Sequence, residues 1–311
     1  FSFNTNTLVD VEPQKEKWDL CFSVFTSVLP GAGSYGFSDF VFHNRKGGAV
    51  AYKVDTTAFA YKKLLTEYAR KTGSPLELVQ FQGHDFSFRG MAGLGDALMS
   101  GMGHLTSFTG TDTVLAIDGL EDFYGGDPEK ELLGASVPAT EHSVMCMGGK
   151  ETEIETFSRL LDTYPVGIVS IVSDTWDFWK VLTEYAPALR TKILERKPVV
   201  LEDGTVIAPG KTVFRPDSGD PVHILTGYKC LDTNKNYEMF RGMDKHSITE
   251  YAKHGGFEAF KHDGKYYRVD DSTPLTEAEV KGAVQVLWDE FGGTITEKGY
   301  KLLDEHVGLI Y

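Results

Sequence analysis

Val166-Gly-Ile-Val-Ser-Ile-Val172, followed at once by Ser173-Asp174, is the stretch on which the fold turns. It is too continuously apolar to leave one face in water, so it reads as a strand buried on both faces, the signature of a parallel sheet covered by helices. The flanks agree. Ile154, Phe157, Leu160 and Leu161 before it lie on one face of a helix, and Trp176, Trp179, Leu182 and Tyr185 after it start another.

The same grammar recurs outward in both directions. From Thr57 onward, Tyr61, Leu64, Leu65 and Tyr68 predict a helix that Gly73 ends. Residues 76–81 predict a strand running into Gly83-His84-Asp85-Phe86, and the apolar stretch 105–108 ends at Gly110-Thr111-Asp112. Residues 117–124 are helix-like. Residues 199–201 and 205–207 flank Asp203-Gly204, a hairpin signal. Residues 212–214 predict a strand ending at Arg215-Pro-Asp217-Ser218-Gly219, and 307–310 another buried strand. Polar ends thus recur at Asp85, Asp112, His142, Asp174 and Asp217, at the roughly 30-residue spacing of βα units. The C-terminal ends of successive strands are where α/β barrels carry their chemistry. A doubly wound sheet uses the same ends, so periodicity leaves both open.

Two regions differ. Residues 1–50 match no regular pattern, and Gly31-Ala-Gly33-Ser-Tyr-Gly36 reads as a turn because an alternating, strand-like segment follows where a dinucleotide fold needs a helix. Residues 228–275 are polar and balanced in charge, with a hairpin at His262-Asp-Gly-Lys265. Thr276 and Glu279 then form a capping-box pair opening a helix through Val280, Val284, Leu287 and Phe291, stopped at Gly292-Gly293.

The 311 residues hold 31 Lys and Arg against 45 Asp and Glu, a formal net charge of −14, which argues against a general nucleic-acid binder. An apolar share of 41% supports a core and excludes wholesale disorder. No apolar run reaches the roughly 18 residues that span a bilayer. The three cysteines, none in a CxxC pair, exclude a disulfide scaffold and fit a reducing cytoplasm.

Three segments carry chemistry. In Arg215-Pro-Asp217-Ser218-Gly219-Asp-Pro221, Arg215 offers a flat charged fork for an anion or an aromatic face, and Asp217 can accept from sugar hydroxyls or hold Mg²⁺ through water. Ser218-Gly219 makes a tight turn with free amides. An Arg paired to the Asp of an ordinary turn accounts for the same residues. Glu141-His142 sets a carboxylate beside an imidazole that can be base, metal ligand or phosphoryl acceptor, or merely structural. His84-Asp-Phe86-Ser-Phe-Arg89-Gly90 joins an aromatic to an Arg at a strand end, where Phe86 alone could be core.

Taken together, HDFSFRG (84–90), GTDT (110–113), SVPATEHS (136–143), VSDTWD (172–177) and RPDSGDP (215–221) resemble the nicotinamide phosphoribosyltransferases, the bacterial and phage members most, over roughly 57–225 and again from about 286. The resemblance implies a type II phosphoribosyltransferase: an irregular (β/α) barrel beside a smaller, partly β domain, working as a homodimer with active sites at the subunit interface. The implied reaction joins nicotinamide to phosphoribosyl pyrophosphate, giving nicotinamide mononucleotide and pyrophosphate with Mg²⁺. By position, Phe86 is similar to the aromatic that stacks on the pyridine, Arg215 to the Arg contacting the ring and its carboxamide, and Asp112 to the acceptor of the amide NH₂. Arg89 and Asp217 match contacts to the phosphorylated ribose and its hydroxyls, with Ser218 and Gly219 completing that turn. His142 matches the His phosphorylated when ATP hydrolysis is coupled to product formation. Glu141 would orient it, and Asp174 would be the carboxylate on the Mg²⁺ side.

The chain begins at Phe1 and stops at Tyr311, just after an apolar run, so a piece of a longer protein is expected, with the barrel incomplete at its C-terminal end. In that reading 1–56 is a divergent N-terminal segment of the small domain or foreign sequence. Residues 57–311 are the partial barrel, with an insertion at about 228–285. Two alternatives remain: a nicotinate phosphoribosyltransferase, against which Asp112 speaks, and a truncated non-catalytic homologue that only binds a pyridine ligand.

Overall fold

The structure, a computed structural model, describes residues 2–3 and 48–311. The glycine turn at 31–36, the alternating segment after it and most of the 1–56 segment lie outside the described residues. The first long element is the helix Gly48–Thr72, ended by Gly73 at φ 75°. It buries Ala58, Tyr61, Leu65 and Ala69 against Val79 and Phe108. Strand β1 (Ser2–Phe3) pairs antiparallel with β2 (Gly83–Asp85), which runs parallel to β3 (Gly110–Thr111).

Two sequence expectations fail in this region. Residues 76–81 form a 3₁₀ helix, not a strand: Pro75 precedes it, Gln82 N–H closes onto the Val79 carbonyl, and Leu76, Leu78 and Phe81 stay exposed while Val79 alone is buried. The apolar run at 105–108 is the end of a helix, Leu94–Leu105, whose His104 carbonyl accepts from the amides of Ser107 and Phe108. That helix hides behind its glycines. A Cβ on Gly101 would meet Ala116 at 2.5 Å, so glycine lets Leu94–Leu105 press against Leu115–Gly119.

The central stretch behaves as its apolarity demands. Strand β4 (Ile168–Val172) follows the helix Glu153–Thr163. After the hairpin of β5 (Val199–Val200) and β6 (Val206–Ala208), strand β7 (Lys211–Arg215) pairs parallel with β4, Ile168 opposite Lys211 and Val172 opposite Arg215. The 228–285 region builds a unit with its own core. β8 (Cys230–Asp232), β9 (Ala259–His262), β10 (Lys265–Arg268) and β11 (Pro274–Leu275) lie in the order β11-β10-β9-β8 over Leu231, Phe240, Ile248, Phe260 and Val269. Its hairpin turns at Asp263 and Gly264, both at positive φ. The capping box forms as read, but Gly282 breaks the helix into Glu277–Lys281 and Ala283–Phe291. A hairpin of β12 (Gly293–Ile295) and β13 (Lys301–Leu303) leads to β14 (Val307–Leu309), parallel to β7 on the side away from β4.

Single parallel bridges, Gly110 to Ala135 and Ala139 to Ser170, join the two parallel groups through the segment 135–139. β2, β3, this segment, β4, β7 and β14 therefore follow one another as a mixed α/β arc, with Phe157, Leu161, Ile171, Leu182, Phe214, Leu287 and Leu309 packed in the main core. The arc is open among the described residues. Their C-terminal ends share one side, because parallel neighbours run in one direction. No helix among the described residues is long and apolar enough to cross a membrane.

Candidate active site

A cavity of about 430 Å³ opens at those ends, lined by Phe86, Phe88, Arg89, Asp112, Ala139, Thr140, Glu141, Arg215, Asp217 and Tyr311. Six of the sequence-chosen residues therefore meet there: Phe86 and Arg89 from after β2, Asp112 from after β3, Glu141, and Arg215 and Asp217 from the end of β7 and beyond. His142, Asp174, Ser218 and Gly219 are not part of this lining; His142 and Asp174 meet it at Asp217, and Gly219 at Tyr311.

Arg215 is buried at 8% exposure. Its Nη2 donates to the Thr140 carbonyl at 2.5 Å, and its guanidinium carbon lies 5.5 Å from the Phe86 ring centre. Its Nε is buried with no hydrogen-bond partner among the described residues, an unusual state for a charged donor. Thr140 is held in turn: its Oγ1 accepts from Val172 N–H at 2.9 Å and its amide donates to the Ser170 carbonyl.

Asp112 lies one residue beyond β3, and its amide donates to the Asp85 carbonyl at 2.8 Å. Its Oδ1 accepts from His84 Nε2 at 2.8 Å and from Ser136 Oγ at 2.6 Å. Among the described residues nothing donates to Oδ2. Burial by itself would push this carboxyl up, but the hydrogen bonds from His84 and Ser136, aided by the Arg215 charge, outweigh it and hold the group below the ordinary carboxylate range. The site thus presents a fixed anion with one free oxygen.

Asp174, 7% exposed at its side chain, organises the opposite wall. Its Oδ2 accepts from Asp217 N–H at 2.8 Å and Ser218 Oγ at 2.6 Å, and its Oδ1 faces His142 Nε2 at 3.2 Å. His142 Nδ1 looks toward Asp217 at 3.9 Å. Gly219 sits at φ 93°, where its carbonyl accepts from the Tyr311 hydroxyl at 2.6 Å. The Tyr311 phenol is pushed up to about 12 by burial and by the carboxylates of Asp220, Asp174 and Asp217.

Glu141 does not turn to His142. Both its oxygens accept from Arg89 Nη1, at 3.1 and 2.9 Å, on the exposed rim. That hydrogen bond, with the Glu141 charge, raises the Arg89 pKa. Both Asp174 oxygens are engaged by protein groups, and no group of three or more His, Cys, Asp or Glu that could hold a metal ion gathers among the described residues. His84, Ser136, Thr140 and Tyr311 escaped selection from the sequence. His84 and Ser136 were signalled only by standing inside the same short motifs as Phe86 and His142.

A family model described as the nicotinate phosphoribosyltransferase (NAPRTase) family matches residues 81–311. The chain is 49% identical over 257 residues to the nicotinamide phosphoribosyltransferase of Acinetobacter baylyi, covering 82% of this chain and 41% of that protein. It is 32% identical over 256 residues to the nicotinamide phosphoribosyltransferase of Mycoplasma pneumoniae, covering 82% of this chain and 42% of the relative. A protein of the same name from Xanthomonas campestris pv. campestris is 33% identical over 183 residues, 57% of this chain and 35% of that one. The chain spans about two fifths of the length of the curated relatives it matches.

Proposed function

The chain belongs to the nicotinate phosphoribosyltransferase (NAPRTase) family, and on that premise we propose that its cavity is the pyridine site of a nicotinamide phosphoribosyltransferase. Such an enzyme forms nicotinamide mononucleotide and pyrophosphate from nicotinamide and phosphoribosyl pyrophosphate, a step of NAD salvage. One observation carries the choice of substrate. The site offers the Arg215 guanidinium, which lines the cavity, as a donor, and Asp112 Oδ2, to which nothing donates among the described residues, as an acceptor on an ionised carboxylate. A primary carboxamide supplies the matching acceptor and donor, whereas a carboxylate brings no N–H and repels Asp112.

In this reading the pyridine lies against Phe86, with its carboxamide between Arg215 and Asp112. Stacking and these two hydrogen bonds aim the ring nitrogen, so that attack becomes a matter of position. As pyrophosphate departs from C1, the ribosyl centre becomes cationic, and the Asp217 carboxylate at the cavity wall favours that charge. Arg89 meets the substrate phosphate by exchanging Glu141 for it, an inexpensive exchange because the pair is exposed. His142, steadied by Asp174, is the phosphoryl acceptor through which ATP is coupled. Mg²⁺ would arrive with the pyrophosphate and neutralise it. The open arc is then part of an irregular (β/α) barrel. The homodimer belongs to the same proposal, supported by the exposure of Phe88 at the cavity lining. So does a cytoplasmic location, supported by three cysteines of which none stands in a CxxC pair.

The test is a competition between nicotinamide and nicotinate with the Asp112→Asn protein. Asn can donate as well as accept and carries no charge, so the amide-over-acid preference should erode by about tenfold or more. Unchanged selectivity overturns the assignment.

A further inference from the structure

Asp112 is two-fifths exposed at its side chain, yet it is neither free to rotate nor ordinary in its charge. From the contacts behind it, and resting on the carboxamide reading above, we infer that His84, seconded by Ser136, is the positioning residue that sets the amide-over-acid preference of this site. His84 and Ser136 come from different parts of the chain, and both donate to the same oxygen, Oδ1. Two donors on one oxygen fix the carboxylate plane and leave Oδ2 as the acceptor facing a ligand.

The imidazole itself is clamped. His84 is buried and stands opposite Gly110 in the parallel pairing of β2 and β3. A Cβ on Gly110 would come within 2.7 Å of His84 Nδ1, so only glycine leaves the ring its room there. On Phe86 it stacks with ring centres 4.3 Å apart and planes at 29°. Gly110 and Phe86 both pack closely against the ring that meets Asp112. It ties the aromatic wall of the pyridine site to the carboxylate that reads the amide. With its hydrogen on Nε2, neutral or cationic His84 donates to Oδ1 in either state.

The charged groups around the pair are few. Asp112 feels His84 from β2, Arg215 from β7 and Arg89 from after β2. His84 has Asp85 beside it in β2, and His104 faces it from the helix Leu94–Leu105. Burial raises the Asp112 carboxyl, and the His84 hydrogen bond is the largest influence opposing it. Remove that donor and the carboxyl rises. As pH falls it then takes up a proton sooner than in the unsubstituted protein, and as an O–H donor without charge it no longer repels the carboxylate of nicotinate.

The experiment measures kcat/KM for nicotinamide and for nicotinate from about pH 5 to about pH 8, with the unsubstituted protein, His84→Ala, His84→Gln and Ser136→Ala. Binding of each pyridine is followed in parallel by NMR, and thermal unfolding reports folding. The unsubstituted ratio should be flat with pH. For His84→Ala the ratio should fall by about tenfold or more at the acid end, with a smaller fall for Ser136→Ala. His84→Gln, whose amide N–H can still reach Oδ1, should restore most of it. An His84→Ala ratio as flat and as high as the unsubstituted one overturns the assignment. So does an equal loss in the Gln and Ala proteins at every pH, which marks a structural role only. If the unsubstituted protein binds neither pyridine, the carboxamide reading falls first and takes this inference with it.

Discussion

Arg215 and Thr140, 75 residues apart in the chain, are joined by a 2.5 Å hydrogen bond from the Arg215 guanidinium to the Thr140 carbonyl. The bond fixes the charged fork at the cavity wall, while the fork's Nε has no partner among the described residues. A backbone carbonyl is an anchor that substitution of the Thr140 side chain does not remove, so the consequences fall on Arg215 itself.

Arg215→Lys keeps the charge and loses the fork. An ammonium can reach the Thr140 carbonyl or the ligand, but its compact head cannot reproduce two fixed N–H directions and a flat face toward Phe86. The expected outcome is a rise in KM for nicotinamide of about tenfold to a hundredfold, corresponding to one lost charge-assisted hydrogen bond, with a smaller change in kcat. Steady-state kinetics and direct nicotinamide titration check it.

Asp174 anchors three donors at once: Asp217 N–H, Ser218 Oγ and His142 Nε2. Asp174→Ala should release the Asp217–Ser218 turn and the His142 ring together, lowering kcat/KM by about tenfold to a hundredfold and abolishing any stimulation by ATP. Asp174→Asn keeps an acceptor for the turn and should retain most of the basal rate. Equal loss in the two proteins, offset by raised Mg²⁺, would favour a metal ligand instead.

His104 sets an acid limit on stability. It is 1% exposed, its Nε2 donates to the Gly110 carbonyl at 2.9 Å, and burial lowers it to about 4. The folded value lies below the unfolded one of about 6.5. Between those two values the unfolded chain takes up a proton that the folded chain refuses, so stability falls as pH falls, by about 3 kcal/mol across the window. His104→Gln keeps a donor for Gly110 and should flatten urea-midpoint profiles between about pH 6.5 and 4.

Gly227 and Gly282 stand back to back where the helix Pro221–Thr226 meets the broken helix pair. Both have positive φ, 72° and 81°, and a Cβ on Gly227 would lie 2.1 Å from the Val280 carbonyl oxygen. Gly227→Ala should cost more than about 3 kcal/mol, from left-handed strain together with a backbone clash. Gly242→Ala, with φ 83° but nothing within 4 Å among the described residues, should cost about 1 kcal/mol. Chemical denaturation separates them.

Local patterns in the chain were enough for many elements. Continuous apolarity at 166–172 sufficed for β4, the Thr276–Glu279 pair for a helix start, and Asp263-Gly264 for a hairpin turn. The short motifs at strand ends named six of the cavity-lining residues. Where an apolar run belonged to the end of a glycine-rich helix, as at 105–108, or found no sheet to join, as at 76–81, the pattern misled. Periodicity reports which face is buried; it does not report against what.

Which polar group answers which was decided only in three dimensions. Adjacent in sequence, Glu141 and His142 part company, one to Arg89 and the other to Asp174 and Asp217. Asp112 finds His84 because β2 and β3 pair with His84 opposite Gly110, a register that no spacing along the chain encodes. A strand needs only its own residues to declare that it is buried. A hydrogen bond across 28 residues needs two strands held side by side within an ångström, and only the packed arc supplies that.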